Sequence, residues 1–185
     1  MLKTTIETSR LTLKLLDEQY ADMVSAFLSR NKDYFAPYET EKNPFFYSPM
    51  YQKNVLANEF SAAQNKQYLR YYVFLKGFSD TIIGTVSFGT LMPYPYSSCV
   101  IGYRFDEQYT GYGYATEAVR AAICEAFNYL PLHRINAYIM ENNLPSIHLI
   151  ENVGFHYEGT CESNIKIRGQ WESHRLYALI DPFCN

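Results

Sequence analysis

The chain has 185 residues, 48% of them hydrophobic, and a formal net charge of -3 at pH 7, which is length enough for one domain around a sizeable core. That mild acidity, with no basic patch or stripe, argues against a protein that grips nucleic acid through its phosphates. No apolar run reaches the roughly 18 residues of a membrane span and Met1–Lys3 leads straight into a strand-like segment, so no membrane partner and a cytoplasmic location are expected.

Leu11, Leu13 and Leu15 alternate with Thr12 and Lys14, the period of a half-buried strand. Asp17 then reads as the N-cap of a helix from Glu18 to Arg30, with Ala21, Val24, Phe27 and Leu28 on one face. A Pro- and aromatic-rich stretch follows, which reads as a loop. Most aromatic side chains fill cores. In this loop, however, Tyr34-Phe35-Ala36-Pro37-Tyr38 and Phe45-Phe46-Tyr47 gain weight as ligand-facing walls, and Tyr34, Phe35 and Tyr38 are the candidates for an acceptor site.

Ser48-Pro49 opens a second helix, by the cap-then-proline rule, to about Gln67. Leu69–Lys76 and Thr81–Thr90 read as a hairpin around Gly77-Phe78-Ser79-Asp80, and Met92–Tyr96 is the next connection. A strand from Cys99 to Phe105 leads to a turn holding Gly111 and Gly113. A helix from Tyr114 to Leu130 follows, with Ala118, Ala122, Phe127 and Leu130 near one stripe, and Pro131 stops it. Arg134–Met140 alternates as a strand, Glu141–Leu144 is a loop, and Pro145–Val153 is a short helix with Gly154 at its exit. Phe155–Ile167 and Trp171–Ile180 form a final hairpin, in which Trp171 serves packing or an acceptor-site wall. The order β-α-α-β-β-β-α-β-α-β-β predicts one α/β domain with a mixed sheet over residues 1–185. The cysteines Cys99, Cys124, Cys161 and Cys184 show neither C-x-x-C nor metal spacing, so reduced, mostly packed thiols and no metal site are expected.

A glycine turn between a strand end and a helix start suits an anion. The first helical N–H groups are unpaired, and the helix dipole makes that end positive. Gly111 and Gly113 would let a pyrophosphate approach the backbone, and either can take φ > 0. The spacing is not the dinucleotide fingerprint, since Thr116 stands at the third glycine position, and no P-loop motif occurs. By itself the pattern reads more readily as a plain tight turn.

Thr110-Gly111-Tyr112-Gly113-Tyr114-Ala115-Thr116-Glu117-Ala118 resembles the acetyl-CoA signature of the GNAT N-acetyltransferases. Ile101-Gly102-Tyr103, Leu132-His133-Arg134, Asn143-Leu144-Pro145-Ser146, Gly154–Gly159 and the opening Thr8–Leu13 resemble, in order, the landmarks of one branch. That branch is the ribosomal-protein N-terminal alanine/serine acetyltransferases, the RimJ/RimL type. The resemblance implies the GNAT acyl-CoA N-acyltransferase fold and acetyl-CoA as cofactor. It places coenzyme A on Phe105, Thr110, Gly111, Tyr112, Gly113, Tyr114, Ala115, Thr116 and Asn143, and Tyr103 beside the acceptor. Thr110 and Tyr112 stand where the family often carries basic residues, so backbone N–H groups are expected to carry more of the pyrophosphate binding.

The implied reaction is attack of a neutral amine on a thioester. It needs a polarised carbonyl, an acceptor for the amine proton and a proton for the departing thiolate. The strand near Phe105 is expected to supply backbone groups after an irregularity that Gly102 permits. Ile150 stands where many family members carry a tyrosine acid, and the branch looks instead to Ser146. On spacing alone Asn143 and Ser146 read as helix capping. The site of a glutamate base falls at about Ile165, and Val100 stands where related enzymes carry an acid. Glu162 is therefore the candidate base, with Glu158 assigned to a structural turn. An α-amine with a pKa of about 7.7–8.0 is partly neutral near pH 7.5, so a strong base is not compulsory. His133 reads as structural and His148 as a surface or lining residue.

The resemblance implies an acceptor amine at a protein or peptide N-terminus. The alternatives are a small amine such as a polyamine or aminoglycoside, and a coenzyme A-binding module without turnover. The aromatic excess makes a homodimer plausible.

Overall fold

The computed structural model describes residues 1–78 and 80–181. Ser79 of the first hairpin turn and Cys184 lie outside the described residues. Among those described, the strands are β1 (Thr5–Glu7), β2 (Leu11–Lys14), β3 (Leu69–Leu75), β4 (Ile82–Met92), β5 (Ser98–Phe105), β6 (Arg134–Met140), β7 (His156–Ile167) and β8 (Gln170–Ile180). The helices are α1 (Ala21–Arg30), α2 (Lys32–Phe35), α3 (Pro49–Gln64), α4 (Tyr114–Tyr129) and α5 (Leu144–Val153). The strands form one mixed sheet in the order β1-β2-β3-β4-β5-β6-β8-β7, parallel between β5 and β6 and antiparallel elsewhere. The mixed α/β sheet and the chain order of its main elements match the sequence reading.

Strand β3 shows how the pattern fixes the layers. Its sequence LRYYVFL lacks simple polar alternation because both of its faces are covered. Leu69, Tyr71 and Val73 enter the larger core with α4 and α5, while Tyr72 and Phe74 join Val24, Phe27 and Leu28 of α1 and Leu56 of α3 in a second core. A strand buried on both faces is expected to read as a continuous apolar run. Along β5, β6 and β8 the residues Ile101, Ala137, Ile139 and Tyr177 face the larger core. By alternation, Gly102, Arg104, Tyr138, Met140 and His174 share the opposite face.

Three differences from the sequence reading have physical causes. The aromatic stretch after Arg30 is helical, built from α2 and one-turn pieces at Ala36–Tyr38 and Pro44–Tyr47. Pro37 and Pro44 preset a helical φ, and the Asn43 side chain caps the second piece by accepting from Phe45 N at 2.9 Å. Strand β1 pairs with β2 through Thr5–Glu7, too short to show periodicity. Gly102 is in regular register with Ser87 of β4, so no irregularity arises there.

The separation occurs on the other side. Strands β5 and β6 pair only over Ser98–Val100 and Arg134–Asn136, then part. The β6-facing edge of β5 beyond Val100 is left without a ladder partner.

Candidate active site

A cavity of about 750 Å³ fills the wedge between the parted ends of β5 and β6, within the usual range for a small-molecule site. Its lining runs from the glycine turn, along β5 and the start of α5, to the aromatic wall beside α2. The unpaired edge of β5 gives strand-like hydrogen-bonding groups to any extended amide chain laid in the wedge, as a pantetheine arm would be.

At one end stands the turn. Gly111 and Gly113 take φ +83° and +76°, left-handed values that only glycine adopts without strain. Gly113 is the N-cap of α4 and has no side chain to occupy the first helical N–H groups, so those donors remain for an anion. Nothing lies within 4 Å of a Cβ built at Gly111. The donor set and open space fit a pyrophosphate. Tyr114, Ala115 and Thr116 line the cavity beside the glycines. Thr110 lines it too, but its hydroxyl donates to Glu107 O at 2.8 Å and is committed to its own turn. The Tyr112 ring is 62% exposed and outside the cavity lining, stacked on Tyr114, so the backbone is what this residue offers to the cradle.

Two networks hold the turn. Glu117 of α4 accepts from the Thr8 and Ser9 hydroxyls at 2.7 and 2.9 Å, and from Arg10 N and Nε at 2.9 and 2.7 Å. Arg10 Nη1 also donates to Tyr112 O at 2.9 Å, and its guanidinium covers the Tyr114 ring. Partial burial works against ionisation of Glu117, but these donors outweigh it and pull its carboxyl down to about 2. On the other flank Asp106 is buried and accepts from Asn31 Nδ2 at 2.9 Å and from Arg30, tying β5's end to α1. Arg10 was read in the sequence only as part of a landmark, because its partner lies 107 positions away.

In the middle of the wedge Ser146 Oγ lies 2.7 Å from Tyr103 OH, and the Tyr103 hydroxyl also reaches Ser146 O at 3.1 Å. Burial pushes the Tyr103 hydroxyl well above the usual phenol range, so it stays a neutral donor. Asn143 accepts from Ser146 N at 3.2 Å, capping α5. Phe105, Asn143, Ser146 and Tyr103 all line the cavity.

At the far end Tyr34, Phe35 and Tyr38 form the aromatic wall. Glu39 and Arg104, both lining, pair with one another. Arg70 lines the cavity as well and holds Glu59 at 2.7 Å behind it. His174 of β8 is only 3% exposed yet also lines this space. The sequence reading did not single out Arg70, Arg104 or His174. The available signal was the strand alternation that places Arg104 and His174 on the face opposite Tyr103 and Tyr177.

Other expectations are not brought to the site. Glu162 lies outside the cavity lining, exposed where the register of edge strand β7 shifts between Cys161 and Ile165. Trp171 is 62% exposed and outside the cavity lining, so it is not a packing residue. Glu158 has a structural pairing, with Arg134 Nη1 at 2.9 Å and His156 at 3.0 Å. His133 is exposed, its backbone tied to Ser97 and Asp181, and His148 sits exposed on the cavity rim. Cys99 is buried, its thiol pushed up to about 12, Cys161 is half-buried and Cys124 is exposed rather than packed.

Residues 10–156 match the acetyltransferase (GNAT) domain family. A probable N-acetyltransferase of Bacillus subtilis, YjcK, is 34% identical over 83% of this chain and 84% of its own length. The [ribosomal protein uS5]-alanine N-acetyltransferase of Escherichia coli is 29% identical over 97% of this chain and 92% of its own. The crystal structure of the ribosomal-protein-S5-alanine acetyltransferase from Vibrio fischeri superposes with a TM-score of 0.93 at 27% identity, covering 99% of this chain and 100% of that one. The glycine cradle, the parted strands and the hydroxyl pair between them thus occur in a chain that belongs to the GNAT acetyltransferase family and acts as an acetyl-CoA-dependent N-acetyltransferase.

Proposed function

We propose that the acceptor is the α-amine of a protein or peptide N-terminus, of the kind the Escherichia coli and Vibrio fischeri relatives are named for, and that the reaction takes place in the cytoplasm. The observation that carries this reading is the charge balance of the acceptor end. Among the described residues lining the cavity Glu39 is the one carboxylate, and it is paired with Arg104. A polyamine or aminoglycoside would find no free carboxylate for its several cations. An N-terminal residue needs only one amine delivered to the wedge, with the following backbone running out past the aromatic wall.

The bound thioester supplies an activated acetyl group. Gly111, Gly113 and the first turn of α4 hold its pyrophosphate, and the free edge of β5 aligns the pantetheine amides. Ser146 donates a hydrogen bond to the sulfur as negative charge gathers there, worth about 1.5–3 kcal/mol for a charged acceptor. Tyr103, itself neutral, holds that hydroxyl in place through its hydrogen bonds to Ser146 Oγ and Ser146 O. Asn143 holds the start of α5, and with it Ser146, in position.

Thiol release from acetyl-CoA is the test, measured with short peptides bearing a free Ala or Ser terminus, the same peptides N-terminally blocked, spermidine and an aminoglycoside. Release with the free peptides and none with the blocked ones is expected. Release with spermidine or the aminoglycoside alone overturns the acceptor assignment. No release with any of them, while acetyl-CoA still raises the melting temperature, overturns amine transfer itself.

A further inference from the structure

We propose that His174 is the general base that takes the proton from the attacking amine. The proposal rests on the amine-transfer reading above. His174 Nδ1 lies 3.0 Å from Glu172 O. A carbonyl oxygen can only accept, so Nδ1 carries the hydrogen, and the neutral ring must present its lone pair at Nε2. Among the described residues Nε2 has no hydrogen-bond partner, and it is not among the buried, unpaired side-chain atoms. It is left open toward the cavity that the ring lines.

Position supports the role. His174 pairs with Met140 across β6, at the open end of the wedge. It lies on the sheet face opposite Tyr177, which points toward α5 and donates to Glu151 at 2.9 Å. Ser146 belongs to α5, so the thiolate donor and the proposed base approach the wedge from its two faces. An amine entering beside Tyr138 and Met140 can attack the carbonyl carbon from the face away from Ser146. The new N–C bond forms as the C–S bond breaks. One proton passes from nitrogen to His174 Nε2 and on to solvent, and the thiolate, held by the Ser146 hydrogen bond, takes one proton from solvent. A buried ring fixed by a backbone carbonyl loses no entropy in this step, unlike the exposed Glu162.

The experiment pairs kinetics with side-chain nitrogen NMR of the full-length protein. In the wild type, the neutral His174 ring, with its resonances assigned through the backbone, should show a protonated Nδ1 and an unprotonated Nε2. His174→Gln should lower kcat for a free-terminus peptide by about 100-fold, at the lower end of general-base effects because the amine is already partly neutral. The melting-temperature rise with acetyl-CoA should persist, and imidazole should restore part of the turnover of His174→Ala. An Nε2–H tautomer overturns the assignment without reference to any acceptor. So does a folded His174→Gln protein whose kcat stays within about threefold of wild type, well short of a general-base effect. A wild-type protein that binds acetyl-CoA but transfers to no amine fails the transferase reading itself, and the base assignment falls with it.

Discussion

Replacing Glu117 with glutamine tests whether the glycine cradle is held by charge. In the folded chain its carboxyl lies near 2, against an ordinary value of 4.5. That difference of about 2.5 units corresponds to at most about 3.4 kcal/mol. Arg10, the charged partner, is 48% exposed, and solvent screening brings the figure to about 1–2 kcal/mol. At about 2.1 cal/mol/K per residue, 185 residues unfold with about 0.39 kcal/mol/K, so Tm should fall by about 3–5 °C near neutral pH. Because the folded pKa is the depressed one, the contribution is complete above the unfolded value of 4.5 and is lost as pH falls toward 2. The gap between wild type and variant should shrink by about a quarter at pH 4 and by more than half at pH 3. Urea midpoints measured at several pH values read this directly, and calorimetric titration should show weaker acetyl-CoA binding, since Arg10 also holds the Tyr112 carbonyl. Equal stabilities at pH 7, or a gap that does not change with pH, would refute the charge argument and leave only packing at this position.

Ser146→Ala should lower kcat by about 10–150-fold through the lost hydrogen bond to developing thiolate, with the acetyl-CoA-induced rise in Tm retained. Loss of that rise instead would make Ser146 a binding residue. Gly113→Ala forces a side chain into a left-handed conformation at a cost of about 1–2 kcal/mol; Tm should drop by a few degrees and acetyl-CoA should bind more weakly in calorimetry. Arg104→Ala frees the Glu39 carboxylate, so the ratio of spermidine to peptide turnover should rise, about tenfold for 1.4 kcal/mol of new attraction. An unchanged ratio would show that the pair does not set acceptor charge preference.

Much of this protein was determined by local chemistry and is legible in the sequence. Asp17, Ser48 and Asn143 accept from the backbone as helix caps, where their short polar side chains predict it. The spacing of Ala21, Val24, Phe27 and Leu28 sets one buried face of α1, as their exposures show. Gly111 and Gly113 mark the cradle because no other residue takes that backbone without strain. The family landmarks then supplied Ser146, whose place in the cavity no periodicity could give.

The tertiary structure decided what depends on chain segments meeting at a distance. The wedge exists because β5 and β6 pair for only three residues each before parting, and nothing local to either strand records that ending. Thr110 and Tyr112 leave the cradle without basic side chains, and Arg10 arrives from the N-terminal segment to grip its backbone. Glu162 stands within a register shift on an edge strand, exposed and outside the cavity lining, a placement that sequence distance does not give. His174 draws no notice in a strand sequence, yet the order β6-β8-β7 buries it beside the wedge with Nδ1 held by a backbone carbonyl. Periodicity reports which face of an element is apolar. Only the assembled sheet fixes which polar side chains of distant strands share one cavity.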